Sequence, residues 1–192
     1  MHSTIEIIRT DILSDNWYTL KRIEYEITDS EGNKKRQLRE AYDRGNGATI
    51  LLYNKDQGTV ILTRQFRLPT FINGNPDGML IETCAGLLDK DDPENCIKRE
   101  TEEETGYHIN DVKKVFEAYM SPGSVTEILY FFVAAYTKDM KITEGGGIAE
   151  EQENIEVLEL PYTKALQMID SGEIKDGKTI MLLQYAQIHR LL

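Results

Sequence analysis

Hydrophobic and polar residues alternate along the first quarter of the chain. Residues 3–12 and 17–28 are rich in β-forming side chains such as Ile5, Ile7 and Tyr25. The segment DSEGN at 29–33 has the composition of a hairpin turn, and a partner strand is expected at about 34–43. The pattern predicts an antiparallel β ribbon. A ribbon of two or three strands is marginally stable alone, so it has to pack on the rest of the chain or on another subunit.

Beyond this ribbon the apolar residues cluster into short runs typical of buried strands. Residues 48–53 and 59–64 flank the turn sequence NKDQG and predict a second hairpin in a core sheet. Residues 68–78 are predicted to form a loop because they are rich in Pro, Asn and Gly. The other predicted elements are strands at 112–118, 128–136 and 155–160 and helices at about 162–171 and 177–190.

The segment 85–107 predicts a capped helix that follows a short apolar strand, Met79 to Ala85. Asp91 or Asp92 can cap the helix, and Pro93 suits its first position. The glycine at 106 suits the position just past its end. These signals place a helix at about 93–105.

Three carboxylates share one stripe of this helix, because Glu100, Glu103 and Glu104 are spaced i, i+3 and i+4. Like charges at this spacing are unfavourable, and Arg99 at i−4 is expected to offset only Glu103. Mg²⁺ or Mn²⁺ would offset the others, since hard cations take oxygen ligands from a few carboxylates and from substrate phosphates. The alternative is a solvated acidic helix, which is the commoner origin of an arbitrary run of glutamates. The ordered sequence of strand, glycine loop, capped helix and glycine stop favours the metal site.

Composition limits the classes of function. The chain has 192 residues, 40% of them apolar and 29% charged, which fits one large globular domain. Its net charge of −11 repels polyanions, so no nucleic-acid partner is expected. Cys84 and Cys96 are predicted to be free thiols in a reducing cytoplasm, with no zinc site. No apolar stretch approaches the length of a membrane span, and neither a signal peptide nor a membrane partner is expected.

Three cationic residues outside the helix can each be either solvent-exposed or part of a binding site. Arg64 and Arg67 end a predicted strand, where they are either solvated or able to clamp a phosphate or a base. Lys178 begins the last predicted helix, where helix capping gives no reason for a cation. It is either exposed or in reach of a phosphate.

A glycine-rich acidic segment lies between the predicted strands 128–136 and 155–160. The triple glycine 145–147 carries a large ordering cost and predicts a mobile loop. Glu150, Glu151 and Glu153 follow it. From the residues alone, a disordered acidic surface loop is the simpler interpretation.

The segment 85–107 resembles the Nudix box, G-x5-E-x7-R-E-U-x-E-E-x-G-U. Gly86 stands for the opening glycine, Arg99 and Glu100 for the R-E pair, and Glu103 and Glu104 for the E-E pair. The match departs in two places. The loop from Gly86 is one residue short, with Asp91 where the consensus has Glu, and Thr101 stands where an aliphatic residue is usual.

The resemblance implies a metal-dependent hydrolase that cleaves a nucleoside diphosphate linked to another group. It implies that the Ala85 carbonyl, Glu100, Glu104 and Glu153 hold Mg²⁺, with Mn²⁺ possible, and that Glu103 orients water or a neighbouring ligand. The phrase YMSPGSVTE resembles a segment downstream of the box in Nudix enzymes that act on ADP-ribose and nucleotide sugars. In those enzymes a glutamate of the later loop is the general base. The pattern E-x-E-x-I implies Glu151, with Glu150 and Glu153 left open as alternatives.

Over its full length the chain is similar to the GDP-mannose pyrophosphatase branch of the Nudix family, of enterobacterial type. This resemblance implies an α/β fold, a Nudix α/β/α sandwich with a mixed central sheet and an N-terminal antiparallel β extension. It implies domains at 1–45, exchanged in a homodimer, and at 46–192. The implied substrate-binding residues are Trp17, Arg39, Glu40, Arg67, Ala85, Gly86, Leu87, Glu104, Glu127, Glu151 and Lys178.

The resemblance implies hydrolysis of GDP-mannose, or a related nucleotide sugar, to GMP and mannose 1-phosphate. ADP-ribose is the alternative substrate, because both kinds of enzyme share the box and the SPG segment. A non-catalytic Nudix-fold sensor is a second alternative, although it would more often have lost one of the three glutamates. The residues leave open the preference for guanine or adenine, the number of metal ions and the phosphorus that is attacked.

Overall fold

A computed structural model describes residues 4–148 and 154–192. Two units are distinguished by their internal contacts. The first consists of the described residues up to Asn46 together with Tyr119–Ile128. The second consists of the described residues within Gly47–Ala118 and Leu129–Leu192.

The first unit is built on a three-stranded antiparallel sheet. Its strands are β1 (Thr4–Asp15), β2 (Thr19–Thr28) and β3 (Lys34–Asp43), in the order β1-β2-β3. Asp29 closes the hairpin between β2 and β3, because its carboxylate accepts the backbone N–H groups of Glu31 and Asn33. The alternating pattern therefore predicted the ribbon correctly.

The segment Tyr119–Ile128 belongs to this first unit although it comes much later in the chain. The backbone N–H of Tyr42 donates to the Ser124 carbonyl at 2.7 Å, and the N–H of Thr126 donates to the Tyr42 carbonyl at 3.1 Å. Asn46 accepts the N–H of Ile128 through its side chain. These bonds join the SPG segment to the end of β3, a long-range contact that the linear pattern did not indicate.

A seven-stranded mixed sheet forms the second unit. Its strands are β4 (Gly47–Asn54), β5 (Thr59–Phe66), β6 (Met79–Glu82), β7 (Cys84–Leu87), β8 (Lys113–Tyr119), β9 (Ile128–Ala135) and β10 (Glu156–Pro161). The strand order is β10-β5-β4-β9-β8, with β6 paired to β5 and β7 paired to β4. The strands β4 and β9 pair in parallel, whereas β5 pairs antiparallel with β4, β6 and β10, and β4 pairs antiparallel with β7.

Helices cover both faces of this sheet. They are α1 (Leu68–Ile72), α2 (Pro93–Thr105), α3 (Tyr162–Asp170) and α4 (Gly177–Ile188), with a short 3-10 turn at Lys138–Met140. Ile50 and Phe132 pack with Ile97 of α2 in one core cluster. On the other face, Phe116 of β8 lies between Phe131 of β9 and Tyr185 of α4. The second unit is therefore the expected α/β/α sandwich with a mixed sheet.

Two local predictions were wrong. The segment 68–78 was expected to be loop, but it begins with the five-residue helix α1, in which Pro69 occupies the first turn and loses no hydrogen bond. The predicted strand from Met79 to Ala85 is two strands, because the chain changes partner at Thr83. The Thr83 N–H donates to the Thr179 hydroxyl at 2.7 Å instead of to a neighbouring strand.

No helix among the described residues is long and apolar enough to cross a membrane.

Candidate active site

Helix α2 begins and ends where its capping residues predicted. Asp92 is the N-cap, and its carboxylate accepts the backbone N–H groups of Glu94 at 3.0 Å and Asn95 at 3.2 Å. Gly106 ends the helix with a φ of 78°, the left-handed conformation that glycine adopts without strain. Of the two aspartates proposed as cap, the structure selects Asp92. Both ends of the helix are thus fixed, and with them the direction of its carboxylates.

The buried stripe of α2 contains Cys96, Ile97, Thr101, Glu104 and Thr105. Thr101 is fully buried, and its hydroxyl donates to the Ile97 carbonyl at 2.6 Å. This bond to the preceding turn satisfies the hydroxyl. A threonine can therefore occupy the position at which the Nudix pattern usually has an aliphatic residue.

Glu100 lies directly against Gly86 of β7. A Cβ atom added at Gly86 would overlap the carboxyl group of Glu100, so only glycine lets the strand and this side chain approach so closely. The Glu104 side chain belongs to the core, with 3% of its surface exposed. The pKa of the buried Cys84 thiol is raised well above its usual value by burial first, and then by the nearby charges of Glu104 and Glu100. Two carboxylates and a thiol of β7 therefore share one region.

Arg99 offsets more charge than its spacing suggested. Its guanidinium contacts Glu103 at 2.8 Å, as expected, but it also contacts Glu100 at 2.8 Å and Asp91 at 3.7 Å. The expectation that it offsets one carboxylate was wrong because helical spacing says nothing about the preceding loop. That loop brings Asp91 close, and Asp89 within it has a φ of 47°. Asp tolerates this left-handed conformation better than most residues.

The donor set fits a hard divalent cation. Glu100 and Glu104 are oxygen donors, and Mg²⁺ is usually held by one or two carboxylates with the remaining positions taken by water and substrate phosphates. The predicted ligand Ala85 lies on β7 beside them, paired with Thr49 of β4. Among residues 4–148 and 154–192, no group of three or more His, Cys, Asp or Glu side chains is arranged to hold a metal ion. A cation would therefore depend on these two carboxylates and on backbone, water or phosphate oxygens, as an open site does.

The glycine segment packs on the C-terminal end of α2. The backbone N–H of Gly146 donates to the Glu104 carbonyl at 2.9 Å, and that of Gly147 donates to the Glu103 carbonyl at 3.1 Å. All three glycines have φ between 69° and 110°, and a Cβ at Gly145 would meet the Glu104 carbonyl. The loop expected at 145–147 is thus bound to the helix, because the last carbonyls of a helix need donors. The predicted base Glu151, the alternative Glu150 and the predicted ligand Glu153 lie outside the described residues.

Arg67 and Lys178 meet at one carboxylate of the second unit. The Nε of Arg67 donates to Glu82 Oε2 at 2.7 Å, and the Nζ of Lys178 donates to Glu82 Oε1 at 2.6 Å. Lys178 also lies 3.1 Å from Asp176, which caps α4. Lys178 is therefore mostly buried, with 12% of its side chain exposed, whereas Arg67 keeps 40%.

The pKa of Lys178 is raised above its usual value. Burial alone lowers this pKa, but the charges of Glu82 and Asp176 outweigh burial. Lys178 is thus held as a cation at the start of α4, where the helix dipole disfavours it. The carboxylates of Glu82 and Asp176 therefore explain why a lysine occupies position 178, where helix capping gives no reason for a cation.

The first unit carries the other predicted binding residues. Trp17 is 84% exposed, and Arg39 and Glu40 are exposed on β3. Glu127 is mostly buried and lies 3.7 Å from the guanidinium of Arg44. Arg44 in turn lies over the ring of Tyr18, 5.6 Å from its centre.

Sequence reasoning missed Glu82 and Arg44. Glu82 could have been noticed as the one acidic residue within the apolar run Met79 to Ala85. A charge in such a run needs a partner, but the partner Lys178 is 96 residues away and no local pattern identifies it. Arg44 carried no such signal, because it lies in a polar connection.

The predicted site residues thus fall into three groups. The second unit brings together the strand residues Ala85, Gly86 and Leu87 with Glu100, Glu103 and Glu104 of α2, which pack against each other. Leu87 accepts a hydrogen bond from the Cys96 thiol through its carbonyl. The same unit joins Arg67 to Lys178 through Glu82. The first unit holds Trp17, Arg39, Glu40 and Glu127.

Comparison with known proteins agrees with these elements. Residues 4–42 match the model of the GDP-mannose pyrophosphatase NudK N-terminal domain, and residues 43–181 match that of the NUDIX domain. A GDP-mannose pyrophosphatase of Yersinia enterocolitica is 62% identical over 192 residues, covering 100% of both chains. That of Yersinia pestis (strain Pestoides F) is 60% identical over 189 residues, covering 98% of this chain and 94% of its own. That of Salmonella typhimurium is 57% identical over 192 residues, covering 100% of both.

The family models divide the chain close to residue 43, between the ribbon and the mixed sheet. The NUDIX match contains the whole of α2, with its R-E and E-E pairs, and the strand β7 that packs on it. Because this match covers most of the chain and the relatives align along its length, the chain belongs to the Nudix hydrolase family.

Proposed function

We propose that the protein hydrolyses the pyrophosphate bond of GDP-mannose and releases GMP and mannose 1-phosphate. The observation that carries the proposal is the pair Glu100 and Glu104 on α2, with Glu100 against Gly86 and Glu104 in the core. Both side chains offer oxygen donors next to the strand β7, and Mg²⁺ is usually held by one or two carboxylates together with water and substrate phosphates. The proposed substrate comes from the relatives, which are GDP-mannose pyrophosphatases by name and align with the full length of the chain.

Glu100, Glu104 and the Ala85 carbonyl are the proposed ligands of Mg²⁺ or Mn²⁺, with Glu153 as a further ligand. When bound, such an ion neutralises the pyrophosphate and makes the attacking water more acidic. The proposed role of Glu103 is to orient that water or a neighbouring ligand. Arg99 supports this role, because it fixes Glu103 and Glu100 together at 2.8 Å each.

The proposed general base is Glu151. A carboxylate removes a proton effectively only within hydrogen-bond reach of it. The glycine segment supports the assignment, since its bonds to the end of α2 fix the chain four residues before Glu151.

The variants Glu151→Gln and Glu150→Gln test which glutamate is the base. We expect Glu151→Gln to lower turnover by about 10²- to 10⁴-fold while substrate binding is kept, because only the proton acceptor is lost. Glu150→Gln is the matched control and should retain turnover. The reverse result would move the base to Glu150, and a loss confined to Mg²⁺ affinity would place Glu151 among the metal ligands.

Substrate binding is proposed to use the residues that the family resemblance implies. Arg67 and Lys178 would bind the phosphates, and Glu104 would contact the substrate through the cation. Trp17 would stack on the guanine or the ribose, and Arg39 of the partner subunit would bind phosphate or base. The remaining residues of the proposed set are Glu40, Ala85, Gly86, Leu87, Glu127 and Glu151.

A homodimer is part of the proposal, with residues 1–45 as the extension exchanged between subunits and 46–192 as the catalytic domain. The apolar side chains of β1 support it, since Ile5, Ile7 and Ile12 are each more than half exposed in the single chain. A cytoplasmic location is proposed as well. The two buried free cysteines, Cys84 and Cys96, support a reducing compartment.

The decisive experiment compares hydrolysis of GDP-mannose and ADP-ribose at equal concentration, with Mg²⁺ and with EDTA, by following release of the nucleoside monophosphate. Faster, EDTA-sensitive release of GMP would support the proposal. A preference for ADP-ribose would keep the mechanism and replace the substrate. Hydrolysis of neither would overturn the proposal and favour a binding protein of Nudix fold.

A further inference from the structure

Glu82 of β6 is a buried carboxylate that contacts two cations. Its side chain is 4% exposed. Each of its oxygens contacts a different cation: Oε2 accepts from Arg67 at 2.7 Å, and Oε1 accepts from Lys178 at 2.6 Å. Charge-assisted bonds of this length are strong, and a buried carboxylate between two cations is well compensated.

We infer that Glu82 is a positioning residue that fixes Arg67 and Lys178 for the substrate phosphates before the substrate arrives. This inference rests on the proposed function, in which both cations bind phosphate. Glu82 engages Arg67 through Nε, which leaves the two terminal nitrogens as the groups available for a bidentate contact with an anion. Pre-orienting a long side chain in this way removes part of the entropy cost of binding.

The backbone of Arg67 is fixed as well as its side chain. Its N–H donates to the Gly78 carbonyl at 2.8 Å, and its own carbonyl accepts from Thr70 and Phe71 of α1. Lys178 has a second side-chain contact, in which its Nζ lies 3.1 Å from Asp176 Oδ1. The group has no net charge, because its two cations, Arg67 and Lys178, are balanced by the carboxylates of Glu82 and Asp176. Its arrangement therefore orients the two cations and does not create an excess of positive potential.

Because the charges balance, electrostatics and positioning predict opposite changes in KM for the variant Glu82→Gln. Replacing Glu82 by Gln removes one negative charge, and Coulomb attraction alone would then bind the anionic substrate more tightly and lower KM. Loss of positioning has the opposite effect. We expect Glu82→Gln to raise KM for GDP-mannose about 10- to 100-fold, the usual effect of removing a supporting contact, with a smaller change in kcat.

The matched control is Asp77→Asn. It makes the same chemical change at the carboxylate that lies 3.5 Å from Arg64, an arginine of β5 three residues before Arg67. Asp77 is 62% exposed, and the variant should keep the parent KM. A KM for Glu82→Gln that is equal to or lower than that of the parent would overturn the inference.

A double variant tests whether Glu82 acts through Arg67. Arg67→Lys keeps the charge but cannot reproduce the Nε bond together with a bidentate contact. If Glu82 acts through Arg67, the substitution Arg67→Lys should raise KM much less in the Glu82→Gln variant than it does in the parent protein. Fully multiplicative effects would show that the two residues act independently and would overturn this part of the inference.

A measurement on the unmodified protein guards against a variant that fails to fold. In the absence of substrate, the Nε–H proton of Arg67 should exchange with water more slowly than that of Arg64, as NMR can measure. Equal exchange rates would overturn the inference. Because this readout needs no catalysis, an inactive parent with a slow Arg67 proton would refute the proposed activity but leave standing that Glu82 fixes Arg67.

Discussion

Glycine at position 86 determines where the Glu100 carboxylate lies. The strand β7 and the helix α2 approach so closely there that a Cβ atom would overlap the carboxyl group. This contact explains in steric terms why the first residue of the Nudix pattern is glycine. The Gly86 backbone needs no left-handed conformation, since it is not among the residues with positive φ.

Gly86→Ala should therefore weaken the proposed metal site more than the fold. We expect the Mg²⁺ concentration that gives half-maximal activity to rise about 10- to 100-fold, because the added methyl group displaces the proposed ligand Glu100. The measurement is a Mg²⁺ titration of hydrolysis, with thermal unfolding in EDTA as the control for folding. An unchanged Mg²⁺ requirement would show that Glu100 does not bind the ion.

Lys178 makes the stability of the fold depend on pH in the alkaline range. Its pKa in the folded state is raised above its usual value, because Glu82 and Asp176 favour the charged form more than burial disfavours it. Its contribution to stability is therefore complete below a pH of about 10.5, the unfolded pKa, and is lost as the pH rises through the higher folded pKa.

Lys178→Met should lower the free energy of unfolding at neutral pH by about 3 kcal/mol, the lower end for breaking a buried pair, since Arg67 still contacts Glu82. The difference from the parent should shrink above a pH of about 10.5. Urea unfolding at a series of pH values measures both quantities. A difference that stays constant across this range would contradict the pairing.

At the scale of the element, α2 is stabilised at both ends by contacts that its own sequence only partly supplies. Asp92 caps the N-terminus from within the sequence motif. At the other end, the N–H groups of Gly146 and Gly147 reach the last carbonyls from a segment about forty residues later. Hydrogen bonds therefore join helix α2 and the glycine segment into one structural element.

Asp92→Ala should lower the free energy of unfolding by about 1 kcal/mol, the usual cost of losing an N-cap. Asp91→Ala is the matched control, because Asp91 is half exposed and its contact with Arg99 is long, at 3.7 Å. We expect it to change stability by less than about 0.5 kcal/mol. Equal losses in the two variants, measured by chemical denaturation, would contradict the capping assignment.

At the scale of the whole molecule, the first unit is the part whose surface calls for a partner. Ile5, Ile7 and Ile12 on the edge strand β1 are 65%, 59% and 62% exposed in the single chain. An exposed apolar edge strand invites pairing or coverage. We have proposed that a second copy of the chain covers it.

Ile7→Lys combined with Ile12→Lys should convert the proposed homodimer into a monomer, because two charges would have to be buried without partners. Sedimentation velocity gives the oligomeric state. Ile188→Lys is the matched control, since Ile188 is 75% exposed near the end of α4, outside β1. A parent protein that sediments as a monomer would overturn the proposed dimer.

The sequence predicted most of the elements because their signals are local. Alternation predicted the ribbon. Pro93, Gly106 and an N-cap left open between Asp91 and Asp92 predicted both ends of α2, since caps act within one helical turn. Sequence-based prediction failed where a residue's contact partner lies far away in the chain. The break at Thr83 depends on Thr179, and the pairing of Glu82 with Lys178 spans 96 residues.

By itself, then, the sequence determined most of the elements, the family and the carboxylate stripe of α2, the last because residue spacing fixes which side chains share a helix face. The tertiary structure alone decided which carboxylates are buried and which cations they meet. It placed Glu100 on Gly86, gave Arg99 two further carboxylates, and bound the glycine segment to the end of α2. The physical reason is that desolvation and ion pairing depend on contacts between elements, which no local pattern encodes.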